Sequence, residues 1–101
     1  MKVWKLSGPT QKSEKRRNRE LAEYLEVYER PSEGEYGPGS GQFVSAITAT
    51  EICIDTIRNH IKMSYSVLND PELYPLMSDA IEALLALDEK LKLKEKTHFK
   101  P

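Results

Sequence analysis

A chain of 101 residues falls in the size range of one domain, with a small core and little room for an enclosed active site. Its apolar fraction of 39% and charged fraction of 31% exclude a disordered polyelectrolyte. A net charge of −1 offers no global attraction to nucleic acid or an anionic membrane, and one cysteine excludes an intramolecular disulfide and any cysteine-cluster metal site.

The opening Met1-Lys2-Val3-Trp4-Lys5-Leu6 has no apolar run long enough for a signal peptide or a membrane span, so a cytoplasmic protein is the expectation. Residues 1–10 close on Ser7-Gly8-Pro9-Thr10, a turn signal; Val3, Trp4 and Leu6 before it suit a short strand or, the preferred reading, an extended arm that docks Trp4 onto the body. A first helix is predicted over about residues 11–30, ending before Pro31. Leu21, Tyr24, Leu25 and Tyr28 recur at three- and four-residue spacing and form its apolar stripe. Its first turns carry Lys12, Lys15, Arg16, Arg17 and Arg19, where cations oppose the helix dipole, so this start is either solvated or kept basic for a partner.

Residues 31–42 hold Pro31, Pro38 and Gly34, Gly37, Gly39 and Gly41, and are expected to form a loop with no regular element. A second helix is predicted from about Phe43 to Leu68, with Ile47, Ile54, Ile57 and Ile61 in its stripe and Asn69-Asp70-Pro71 closing it. Cys53 lies inside that run and reads as a small buried hydrophobe. A third helix starts near Pro71–Pro75 and reaches about Lys94, with Met77, Ala80, Leu84, Leu87 and Leu91 as its stripe and residues 97–101 as a frayed tail. The fold expected is therefore all-α: one domain over 1–101, a three-helix antiparallel bundle with an N-terminal arm.

The second and third helices are apolar beyond one face (Val44, Ile52, Met63 and Val67; Ile81, Ala83 and Leu85), which is more than a three-helix monomer hides. The surplus points to burial against another copy of this chain, making a homo-oligomer, or against a protein partner.

Three places could carry chemistry. The loop before the second helix brings Tyr36, Gly37, Gly39, Ser40, Gly41, Gln42 and Phe43 together, and glycines beside helix N–H groups suit an anion. No Lys-Ser/Thr pair follows, so it is not a Walker A loop. A plain interhelical connection accounts for residues 31–42 without a ligand. The binding reading is a small anionic, phosphate-bearing ligand or a protein partner held by this loop, with Tyr36 and Phe43 covering a flat ring and Arg16, Arg17 or Arg19 of a neighbouring subunit supplying charge.

The second place is a carboxylate set. Glu23 and Glu26 lie one turn apart on the first helix and Glu51 and Asp55 one turn apart on the second. Four carboxylates on facing helices could hold Mg²⁺ beside a nucleotide phosphate. The set is loosely similar to the E-x-x-E and E-x-x-D pairs of the all-α nucleoside triphosphate pyrophosphatases of the MazG type, which makes a Mg²⁺-dependent nucleotide hydrolase the alternative function. The Glu51–Asp55 interval is one residue longer than that pattern, and a solvated helix face explains the glutamates without a metal.

The third is the basic cluster Lys12–Arg19 with Lys90–Lys100, which would serve weak nucleic-acid binding, but the clusters are expected at opposite ends of a bundle. His60 and His98 have no evident ligand set around them. The function expected is a non-enzymatic binding or interaction module, with no catalytic residue and no cofactor.

Overall fold

The computed structural model describes residues 10–99, and among these the chain is helical without a strand. Helix α1 spans Gln11–Val27, α2 Glu33–Tyr36, α3 Gly41–Thr56, α4 Tyr65–Leu68 and α5 Leu73–His98, with a π turn at Ile57–Ile61 running on from α3. The arm expected over residues 1–10 lies outside the described residues apart from Thr10.

Thr10 opens α1 through a reciprocal cap. Its hydroxyl accepts from the Ser13 N–H at 3.0 Å while Ser13 Oγ accepts from the Thr10 N–H at 2.9 Å. This local cap, with the Arg17–Glu14 ion pair at 2.6 Å, holds a helix start whose cations oppose the dipole. The helix ends at Val27, three residues earlier than predicted.

The loop of residues 31–42 is not wholly irregular, which corrects the expectation. The Ser32 hydroxyl donates to Glu35 Oε1 at 2.9 Å and the Gly37 N–H returns to the Glu33 carbonyl at 2.8 Å, closing the single turn α2. The predicted second helix is also interrupted. After α3 the Lys62 N–H reaches back to the Ile57 carbonyl at 2.7 Å, a wider ring than an α-helix closes, and Ser64 is extended before α4. The β-branched residues Ile52, Ile54, Thr56, Ile57 and Ile61 lower the local preference for continuing the helix. Asp70 then caps α5, its Oδ1 accepting from the N–H groups of Glu72 at 2.8 Å and Leu73 at 3.1 Å. At the other end α5 takes in Thr97 and His98, residues expected to fray, and Thr97 Oγ1 donates back to the Leu93 carbonyl.

The packed unit is an antiparallel hairpin of α3 and α5. Phe43, Ile47, Thr50, Ile54 and Ile57 face Met77, Ile81, Leu84, Asp88, Leu91 and Glu95, and every one of these is buried or half-buried. Both series step alternately by four and three residues, the spacing that keeps a seam on one side of a helix. Ala80 and Leu87, expected in this seam, lie exposed one residue off it. Cys53 is exposed as well, not buried as its apolar neighbours suggested, because it precedes the seam residue Ile54 and turns aside from α5. Helix α1 buries no residue and makes no extensive contact with the hairpin.

The core is correspondingly thin: Ile54 and Met77 are the buried hydrophobic residues among those described. The Cα radius of gyration is 16.6 Å, against about 13 Å for a compact chain of this length. No helix of the described residues is long and apolar enough to cross a membrane.

Candidate functional site

The loop between α2 and α3 is built on a hydrogen-bonded turn. The Ser40 N–H donates to the Gly37 carbonyl at 3.0 Å, Pro38 supplies the first central residue, and Gly39 takes the second with φ of +89°. A type II turn needs a positive φ at that place, which glycine adopts without a Cβ clash. Space reinforces the requirement, since a Cβ on Gly39 would stand 3.0 Å from the His98 ring. Ser40, nearly buried, caps α3 by accepting from the Phe43 N–H at 3.2 Å.

Across the hairpin, the Gly39 N–H donates to Glu95 Oε2 at 3.1 Å. Part of the N–H array expected to receive an external anion thus already serves a carboxylate of this chain. Gly39 and Ser40 are turn and cap residues, Gly37 is buried, and Gly41 opens onto empty space.

Two open grooves flank Tyr36. One, of about 580 Å³, is bordered by Tyr36, Gly37, Pro38 and Phe43 from the loop side and by Lys90, Leu93, Lys94, Thr97 and His98 from α5. The other, of about 510 Å³, is bordered by Arg17, Leu21, Tyr24, Leu25, Arg30, Pro31, Tyr36 and Gln42. Arg17 and Lys94 therefore stand by grooves that share Tyr36, so the two basic clusters approach one end of the molecule instead of opposite ends. Arg16 and Arg19 border neither groove. Lys90, Lys94, Glu95 and His98 were missed as neighbours of the loop. Their basic, C-terminal position was visible, and only the antiparallel return of α5 brings them to Gly39.

The carboxylate set divides between elements. Glu51 and Asp55 border a polar pocket of about 150 Å³ with Ile54, Arg58, Leu85, Asp88 and Lys92, whereas Glu23 and Glu26 sit on α1 away from it. The Lys92 ammonium lies 3.1 Å from Asp88 Oδ2 and 3.9 Å from Glu51 Oε2. The Asp88 hydrogen bond, with the charges of Asp88 and Glu51 also favouring the cation, raises the Lys92 pKa above its ordinary value despite some desolvation. A lysine thus stands among these carboxylates, and among the described residues no group of three or more His, Cys, Asp or Glu is placed to hold a metal ion.

Asp88 and Glu95 are the charged members of the seam. The Asp88 side chain is 15% exposed, and its Oδ1 is buried with no hydrogen-bond partner. On the opposite flank of the hairpin Ala46, Ala49 and Cys53 of α3 lie exposed, Leu76 and Leu87 of α5 are 67% and 49% exposed, and the charges, Lys90 and Lys94, stand toward the end of α5.

No protein-family model, curated protein or solved structure matches this chain.

Proposed function

We propose that the protein is a non-enzymatic interaction module that completes its core by self-association. The supporting observation is the imbalance between buried and exposed apolar residues. Among the described residues Ile54 and Met77 are buried, no side chain is fully buried, and Ile52, Met63 and Leu76 are 59%, 70% and 67% exposed. Burying a large apolar side chain contributes about 1.5–3 kcal/mol, while ordering each residue's backbone costs about 1–2 kcal/mol. The buried apolar set among the described residues is small, and covering the exposed apolar residues against a second chain adds the burial that it lacks. The chain exposes 8443 Å², against about 5,800 Å² for a compact monomer of its mass.

Light scattering on a size-exclusion column, across a concentration series, tests this. A dimer or larger assembly that dissociates only on dilution is the expected result. A folded, strict monomer at high micromolar concentration overturns it.

A second reading, an anionic small-molecule site, keeps a specific support in the groove of Tyr36 and Phe43 with Lys94 and His98. The cations there come from α5 of the same chain, so no arginine of a neighbouring subunit is required. A phosphate-bearing ring compound, such as a nucleotide, has the chemistry to use both features. Thermal-shift measurements with nucleotides and inorganic phosphate test it. A shift lost in Lys94→Glu supports the site, and no shift with any of them removes it.

A further inference from the structure

The two flanks of the α3–α5 hairpin differ in chemistry, and the difference follows from one rule of helix geometry. In two antiparallel right-handed helices, residues one position after the seam fall on one flank and residues one position before it fall on the other. The Glu51–Lys92 contact, between the residues after Thr50 and Leu91, fixes the charged flank. The residues before the seam are Ala46, Ala49 and Cys53 on α3, and Leu76, Ala80, Ala83 and Leu87 on α5. Among the described residues, Leu76, Ala80 and Leu87 of this flank are exposed and Ala83 is half-buried, whereas the other flank carries water-facing charge.

Leu76, Ala80, Ala83 and Leu87 are separated by four, three and four residues. That order, Leu-Ala-Ala-Leu, is the same read forwards or backwards. A two-fold axis between two copies requires residue i to meet j and j to meet i. Antiparallel pairing of α5 with a second α5, centred between Ala80 and Ala83, satisfies this: each Ala80 meets the other copy's Ala83, and each Leu76 meets the other copy's Leu87. The small central residues allow close approach of the helices. Lys90, one step beyond Leu87, then falls opposite Leu73 and its neighbour Glu72 of the second copy, so opposite charges meet at both ends. The small residues of α3 leave room for the leucines of the facing helix.

We propose that two copies pair through this flank about a two-fold axis, with α5 antiparallel to α5, so that two hairpins form a four-helix bundle. The occupant is a second copy because both the palindromic spacing and the end charges are self-complementary. This surface and symmetry rest on the self-association reading above and give it a definite geometry.

The test uses the full chain with two kinds of variant. Ala83→Arg places a charge at the axis and leaves the α3–α5 seam intact, and it is expected to weaken association by about thirtyfold or more, as loss of a central contact does. Glu89→Arg, on the charged flank, leaves association unchanged. In a Cys53→Ser background, an equimolar mixture of Ala80→Cys and Ala83→Cys chains forms a mixed disulfide dimer under mild oxidation, while Glu89→Cys chains do not. If the parent chain is monomeric, self-association itself fails and this surface with it. If the parent associates but Ala83→Arg associates as tightly and the mixed disulfide does not form, self-association stands and the α5 surface is wrong.

Discussion

The backbone N–H of Gly39 and the carboxylate of Glu95 meet at 3.1 Å, tying the turn that opens α3 to the last turns of α5 across 56 residues of sequence. This bond, the positive φ of Gly39 and the His98 ring beside it fasten the open end of the hairpin. The loop is therefore a structural clasp before it is anything else.

Gly39→Ala is expected to destabilise the protein by about 1–2 kcal/mol, since alanine at positive φ is strained and its Cβ would press on His98. Glu95→Ala is expected to cost less, about 1 kcal/mol, because this hydrogen bond is exposed to water. Urea denaturation of both variants checks the order. Equal stability of Gly39→Ala and the parent would show that the turn relaxes freely.

Asp88→Leu is expected to stabilise the protein by about 1 kcal/mol. The position belongs to the apolar seam, one carboxylate oxygen is buried without a partner, and buried ionic groups are often replaced by apolar ones at no loss. A lower thermal midpoint in Asp88→Leu would mean that the Lys92 contact outweighs the desolvation of Asp88.

Stability is expected to fall at high pH partly through Lys92. Its pKa is raised in the folded chain, so its contribution is full below the unfolded value of about 10.4 and is lost as pH rises through the folded value. The alkaline decline of the thermal midpoint should be shallower in Lys92→Met than in the parent. An identical decline in both would remove Lys92 as a contributor.

Ile54→Asp should abolish folding, because an unpaired charge at a site 5% exposed costs several kcal/mol, of the order of the whole stability. Ile52→Asp, 59% exposed on the far side of the same helix, should leave the circular dichroism spectrum unchanged. Similar loss of helix in both variants would show that the phase of α3 is wrong.

Glu51→Ala and Asp55→Ala are expected to have modest effects on stability. Incubation with nucleoside triphosphates and Mg²⁺ should release no product from parent or variants, since Lys92 stands among these carboxylates. Hydrolysis abolished by either substitution would revive the hydrolase reading.

The sequence by itself determined the all-α class and where α1, α3 and α5 begin, because helical period, caps and proline positions act over a few residues, but not the single turn α2 or the break after Thr56. It also showed an excess of apolar surface, since composition along a helix does not depend on what the helix meets. The choice between two apolar stripes on α5 was beyond its reach. The expected stripe of Met77, Ala80, Leu84, Leu87 and Leu91 and the observed seam of Met77, Ile81, Leu84, Asp88 and Leu91 satisfy the same three-and-four spacing, and only the position of α3 selects the second. The burial of Asp88 in place of Leu87 follows from that selection. The Gly39–Glu95 clasp was hidden for a related reason: its partners are 56 residues apart, and nothing local in either segment records the other. Tertiary structure decided these points because a helix face acquires its role only from the neighbour packed against it.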